Sequence, residues 1–226
     1  MNKTKIKICG IIEPRHAIVA AEAGADFIGM VFAESPRRVT IDQARQIVSA
    51  VRDLPGAAPR MVGVFANSPR EEIEATAEAL DLDYIQLSGD EPEDLLEKLR
   101  LPLIRAIHIR LDQPAPVALL SARRAAATLQ ALDVLPLLDT RAQGLLGGTG
   151  QRFDHSVAEE LARETDFLLA GGLDSDNVHD VVARVRPWGV DVSSGVETDG
   201  VKDGEKIRAF IRNARGGPTS GLSRVD

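Results

Sequence analysis

The chain has one cysteine, Cys9, among its 226 residues. A single thiol cannot close an internal disulfide, so a reducing cytoplasm is the expected setting. Long apolar runs are missing too. Nothing approaches a membrane span, and the amino terminus lacks the apolar stretch of a secretion signal. No block of lysine and arginine stands out, and the formal net charge is −7. Nucleic acid and membrane surfaces are therefore not expected partners. The four histidines, His16, His108, His155 and His179, show no metal-ligand spacing. What is present is a globular composition, 44% hydrophobic, in a length that suits one large core or two small ones.

The stretch Lys5-Ile6-Lys7-Ile8-Cys9-Gly10 reads as a first strand. Ile6 and Ile8 alternate against Lys5, Lys7 and Cys9, and Gly10 ends the run. Lys7 therefore shares a face with Cys9. On composition alone a lone cysteine is a small buried hydrophobe. Beside an ammonium it can become a base or nucleophile, because the cation favours the thiolate.

The same strand-then-helix unit recurs along the chain. Pro14 opens and Gly24 closes an alanine-rich helix. Phe27 to Phe32 is a nearly continuous apolar strand of the kind buried on both faces. A helix is expected from Ile41 to Asp53, a strand over Met61 to Phe65, and a helix from Pro69 to Leu80. Tyr84 to Leu87 is a strand and Glu91 to Leu99 a helix. Leu103 to Ile107 is a strand and Val117 to Leu129 a helix. Val134 to Leu138 is a strand ending at Asp139. A glycine-rich loop, Thr140 to Gly150, leads to a helix over Ser156 to Arg163. Phe167 to Ala170 is a strand, and Asp174 caps a helix that runs to Val185. Gly189 to Ser193 and Asp203 to Asn213 form the last pair. Eight such units in a chain of this length predict a single-domain α/β (β/α)8 TIM barrel over residues 1–214. A doubly wound open sheet would normally use fewer strands. Residues 215–226, rich in Gly, Ser and Pro, read as a flexible tail.

A barrel of this kind carries its chemistry at the carboxyl ends of the strands. The polar residues expected there are Lys7, Cys9, Gln86, Ser88, Arg105, Asp139 and Asp191. Charged groups on apolar strands cost free energy unless they are paired or functional. Two glycine turns follow the last strands, at Gly171-Gly172 and at Ser193-Ser194-Gly195. Backbone N–H groups in the loops after strands seven and eight commonly hold a phosphate, and glycine lets the backbone come close. The long loop Gly144 to Gly150 is a candidate lid or a surface loop without a role. Arg37 lies in the loop after the second strand, where an arginine can grip a carboxylate at two points or simply be solvated.

These stretches together resemble the phosphoribosylanthranilate isomerase family. The resemblance rests on Lys7-Ile8-Cys9-Gly10, Glu22 to Asp26, Ser35-Pro36-Arg37, Gly63-Val64-Phe65, Gln86-Leu87, Leu138-Asp139, Gly147 to Gly150, Phe153-Asp154, Gly171-Gly172-Leu173 and Val190 to Glu197. It implies a cofactor-independent Amadori rearrangement of a phosphorylated small molecule in tryptophan biosynthesis. It implies Asp139 as the acid and Cys9 as the base. It further implies that Arg37 holds the anthranilate carboxylate, that Asp191 assists near the anthranilate nitrogen, and that the two glycine turns take the phosphate. Lys7 and Gln86 would line the same pocket. The chain departs from the usual pattern at Ser88, where histidine is common, and at Ile12, Gln151 and His155.

Two other readings stay open at this level. One is a different sugar-phosphate isomerase or epimerase on the same barrel. The other is a barrel that binds a phosphorylated ligand without catalysis. Monomer and homodimer are both compatible with the sequence.

Overall fold

A computed structural model describes residues 3–56, 58–109, 113–139 and 156–216. Eight parallel strands close into a barrel: β1 (Lys5–Cys9), β2 (Phe27–Val31), β3 (Arg60–Phe65), β4 (Tyr84–Leu87), β5 (Leu103–His108), β6 (Leu135–Asp139), β7 (Leu168–Ala170) and β8 (Gly189–Val192). Each strand pairs with its neighbour in sequence, and β8 returns to β1 with Lys5 opposite Gly189 and Lys7 opposite Asp191. The barrel expected from the strand-helix repeat is what forms.

Alternation along each strand divides the apolar residues into two layers. Outward side chains such as Ile6, Ile8, Ile28, Met30 and Leu138 pack under the helices in the larger buried cluster. Inward side chains, among them Phe27, Val62, Val64, Ile104, Leu137 and Leu168, fill the barrel with Cys9 among them. The barrel is thus plugged by its own side chains below the rim, and the ionisable groups sit on top of that plug.

The helices are α1 (Pro14–Ala23), α2 (Ile41–Arg52), α3 (Arg70–Leu80), α4 (Glu93–Leu96), α5 (Ala115–Ala131), α6 (Ser156–Leu161), α7 (Val178–Val185) and α8 (Gly204–Ala214). Gly24 ends α1 at φ 92°, a left-handed cap. Thr40 and Gln43 exchange side-chain and backbone hydrogen bonds to form a capping box on α2. Two helices start two or more residues later than the sequence pattern predicts. Glu91 does not join α4, because its carboxylate accepts the N–H groups of Asn67 at 2.8 Å and Gly89 at 3.1 Å and Pro92 follows it. Asp174 does not start α7. Its Oδ1 accepts from the N–H groups of Asp176 and Asn177, both at 2.9 Å, and this local turn displaces the first helical turn.

After β8 a short 3-10 turn (Ser194–Val196) leads to a small hairpin, β9 (Glu197–Thr198) and β10 (Val201–Lys202). Asp199 and Gly200 both have positive φ, the geometry of a tight two-residue hairpin turn. Among the described residues no helix is long and apolar enough to cross a membrane. The expected lid around Gly144 to Gly150, the departures at Gln151 and His155, and the tail beyond Gly216 lie outside the described residues.

Candidate active site

Cys9 is the last residue of β1 and Asp139 the last residue of β6. Parallel strands in one closed barrel end on one rim, so both groups stand at the same mouth. Each points inward by alternation, Cys9 following Lys7 and Asp139 following Leu137. Cys9 is 8% exposed, and the Asp139 side chain is 21% exposed. The thiol lies deeper than the carboxyl group.

Lys7 sits one inward position below Cys9 and is fully buried. Its Nζ donates to Asp191 Oδ1 at 2.9 Å across the β1–β8 seam. Burial works to discharge this ammonium. Asp191 and then Cys9 outweigh it, and hold the lysine above its ordinary 10.5. A fixed cation therefore stands beside the thiol. Gly29, the register partner of Cys9 on β2, leaves room for both groups. A Cβ there would lie 2.9 Å from Cys9 Sγ and 3.0 Å from Lys7 Nζ.

Gln86 points into the barrel from β4 and is buried. Its Nε2 donates to Ser88 Oγ at 3.0 Å. Its Oε1 is buried without a hydrogen-bond partner among the described residues. That is an acceptor offered to whatever fills the mouth.

Arg37 reaches over Gly10, where a Cβ would fall 2.6 Å from Arg37 Cδ. Gly10 has φ 72°, so both its backbone and this close approach require glycine. The guanidinium grips Glu197, with Nε and Nη2 each 2.6 Å from a carboxylate oxygen. Glu197 also accepts from Lys202 Nζ at 2.6 Å, and Lys202 donates to the Ser193 carbonyl at 3.0 Å. The hydrogen bond to Glu197, against burial, holds Arg37 above its usual value. Burial pushes the Glu197 carboxyl up, but Arg37 and Lys202 hold it below the ordinary 4.5. Burial draws Lys202 below 10.5 despite its partner. The cluster carries two cations to one anion and ties the loop after β2 to the turn after β8.

Sequence reading missed this network. Lys202 follows a hairpin turn, where a lysine is ordinarily solvated, and only the return of the chain buries it to 4% exposure. Arg105, expected on the rim, is a correction. It lies between the inward Ile104 and Ala106, so it points outward and pairs with buried Glu91. His108 has the inward parity instead. Strand alternation could have disclosed that parity had β5 been extended by one residue, whereas its place as the register partner of Asp139 comes from the barrel.

The two glycine turns meet. Gly171 and Gly172 have φ values of 95° and 63°, which glycine adopts without strain. A Cβ on Gly195 would lie 1.9 Å from the Leu173 carbonyl oxygen. The turn after β8 therefore rests on the turn after β7, and no side chain fits between them. Among the described residues no group of three His, Cys, Asp or Glu side chains is set to hold a metal ion.

Ionisable groups gathered at the carboxyl mouth of a closed parallel barrel make this a (β/α)8-barrel enzyme. The profile of N-(5'phosphoribosyl)anthranilate (PRA) isomerase matches residues 6–213, and the chain belongs to that family. It is accordingly an isomerase of tryptophan biosynthesis. It is 46% identical over 213 residues to the N-(5'-phosphoribosyl)anthranilate isomerase of Roseiflexus castenholzii, covering 93% of this chain and 97% of the relative. The phosphoribosyl anthranilate isomerase of Thermotoga maritima superimposes with a TM-score of 0.81 at 35% identity, covering 94% of this chain and 99% of that one. A phosphoribosyl anthranilate isomerase in complex with reduced 1-(o-carboxyphenylamino)-1-deoxyribulose 5-phosphate superimposes at 0.78 with 34% identity, with the same coverage.

Proposed function

We propose that the chain converts N-(5-phosphoribosyl)anthranilate to 1-(2-carboxyphenylamino)-1-deoxyribulose 5-phosphate with its own side chains and no cofactor. The observation that carries this reading is the common rim of Cys9 and Asp139, with the buried Lys7 ammonium beside the thiol. The relative that holds the reduced product supports the same substrate pair here.

Asp139 gives its proton to the sugar ring oxygen as the ring opens to an iminium. Cys9, as thiolate, takes the proton from the adjacent sugar carbon. The electron pair of that C–H bond moves toward the iminium and forms an enolamine, which tautomerises to the ketone. Lys7 sets a cation beside Cys9, and Asp191, 2.9 Å from its Nζ, keeps that charge in place and is assigned the assisting role at the anthranilate nitrogen. Arg37 meets the anthranilate carboxylate with the guanidinium edge that Glu197 leaves over, inside a cluster of net positive charge. The abutting turns at Gly171-Gly172 and Ser193-Ser194-Gly195 receive the phosphate through backbone N–H groups. Gln86 Oε1 offers an acceptor to a substrate hydroxyl. A reducing cytoplasm suits a base that must remain a free thiol.

The experiment is the decay of anthranilate-type fluorescence when the protein is mixed with the substrate. Decay faster than the spontaneous rate supports the isomerase. Decay at the spontaneous rate, with the substrate bound, replaces it with a binding protein.

A further inference from the structure

His108 ends β5 directly beside Asp139, and the two are register partners in the barrel. The ring is held at one nitrogen and turned toward Asp139 by the other. Nε2 lies 3.1 Å from the backbone carbonyl of Ser88. A carbonyl oxygen only accepts, so Nε2 carries the hydrogen. Nδ1 then faces Asp139, 3.7 Å from Oδ2. In the neutral ring Nδ1 is an acceptor, which favours a protonated Asp139. In the imidazolium it is a donor, which favours the carboxylate. Either way the pair is arranged to hold one proton between them.

Resting on the assignment of Asp139 as the acid, we propose that His108 is the positioning residue that keeps a proton available to Asp139 and refills it from solvent after each turnover. Ring opening leaves Asp139 as a carboxylate. The neutral imidazole then takes a proton from solvent at Nδ1 and passes it to Oδ2, which restores the one proton that the pair holds. The His108 side chain is 43% exposed while that of Asp139 is 21% exposed, so the imidazole is the solvent-facing member.

The surrounding charges agree. The neighbouring Asp139 carboxyl group is the main influence, and with the Ser88 carbonyl it outweighs burial and Arg105 to hold His108 above its ordinary 6.5. Arg105 is on the opposite face of β5 and is neutralised by Glu91. Among the described residues, Asp139 from β6, Ser88 from the end of β4, and Arg105 with Glu91 are the groups that bear on the ring.

The test is the pH profile of kcat/KM for the parent, His108→Gln and Asp139→Asn, with the imidazole resonances followed by NMR. Glutamine retains a donor for the Ser88 carbonyl but cannot titrate. The expected result is a loss of rate in His108→Gln that grows with pH, because Asp139 alone gives up its proton earlier. The alkaline limb should move down by about one pH unit or more. In Asp139→Asn the His108 titration should fall toward the ordinary value. A uniform loss at every pH, or an imidazole that titrates alike with and without Asp139, overturns the proposal and leaves Asp139 as the acid. Near-parent turnover in Asp139→Asn removes the acid assignment itself, and the role of His108 with it.

Discussion

Lys7 and Asp191 are paired twice, as register partners across the β1–β8 seam and as an ion pair of 2.9 Å inside the barrel. Neither charge has water to fall back on, since Lys7 is fully buried and Asp191 is 8% exposed. Removing one partner strands the other. Lys7→Met should cost about 3–5 kcal/mol of stability in urea unfolding. The double variant Lys7→Met/Asp191→Leu should recover most of that loss. It should not recover turnover, because the cation beside Cys9 is gone. A double variant as active as the parent would refute the role given to the ammonium.

Cys9→Ala and Asp139→Asn each remove one of the two groups proposed to transfer protons at the mouth. Each should lower kcat by about 100- to 10,000-fold, with far-UV circular dichroism and the unfolding midpoint close to the parent's. Both substitutions change side-chain volume little, so the fold should stay intact. A variant that turns over near the parent rate was assigned wrongly.

Gly29 is a negative space shared by the thiol and the ammonium. In Gly29→Ala the new methyl would sit 2.9 Å from Cys9 Sγ and 3.0 Å from Lys7 Nζ. Both must shift, at a cost of about 1–3 kcal/mol for overpacking. Steady-state kinetics should show a fall in kcat with KM nearly constant, since the turns proposed to bind phosphate are on other strands. A fall confined to KM would contradict this placement.

Gly195→Ala should act on binding instead. Its methyl would meet the Leu173 carbonyl at 1.9 Å and drive the two turns apart. KM for the substrate and the inhibition constant for inorganic phosphate should rise together. A rise in the first without the second would locate the phosphate elsewhere.

Glu197 supplies a pH dependence whose sign is set by its partners. Arg37 and Lys202 hold its carboxyl below the ordinary 4.5 against burial. A depressed acid stabilises the fold fully above its unfolded value. That contribution is lost as pH falls through the lower, folded value. Urea unfolding between pH 6 and 3 should therefore show a decline that Glu197→Gln partly flattens. The variant should also raise KM, because Arg37 and Lys202 are left as neighbouring cations with no anion between them. An identical pH slope in parent and variant would show that Glu197 titrates in the folded protein as it does unfolded.

The strand-helix count, the strand order and the inward side of β1 were all legible in the sequence. Each depends on a local period: two for Ile6 and Ile8 against Lys7 and Cys9, and helical spacing between the glycine and proline stops. Where a local hydrogen bond competed with the period, the reading slipped. Asp174 folds its own turn ahead of α7, and Glu91 turns its carboxylate inward ahead of α4. Strand ends were the other weak point. Ending β5 at Ile107 put Arg105 on the rim and left out His108, although alternation from Ile104 and Ala106 assigns them the other way.

By itself the sequence determined the barrel, because eight amphipathic units of this length have few other ways to bury their apolar faces, and it determined that a thiol and a carboxyl group end strands of that barrel. Tertiary structure alone decided who stands beside whom. Closure of β8 onto β1 set Asp191 against Lys7, the return of β10 buried Lys202 under Glu197, and the register of β5 with β6 brought His108 to Asp139. These partners are separated in sequence by 184, 5 and 31 positions. The ion pairs and the dyad arise from ring closure and strand register, which no local period encodes.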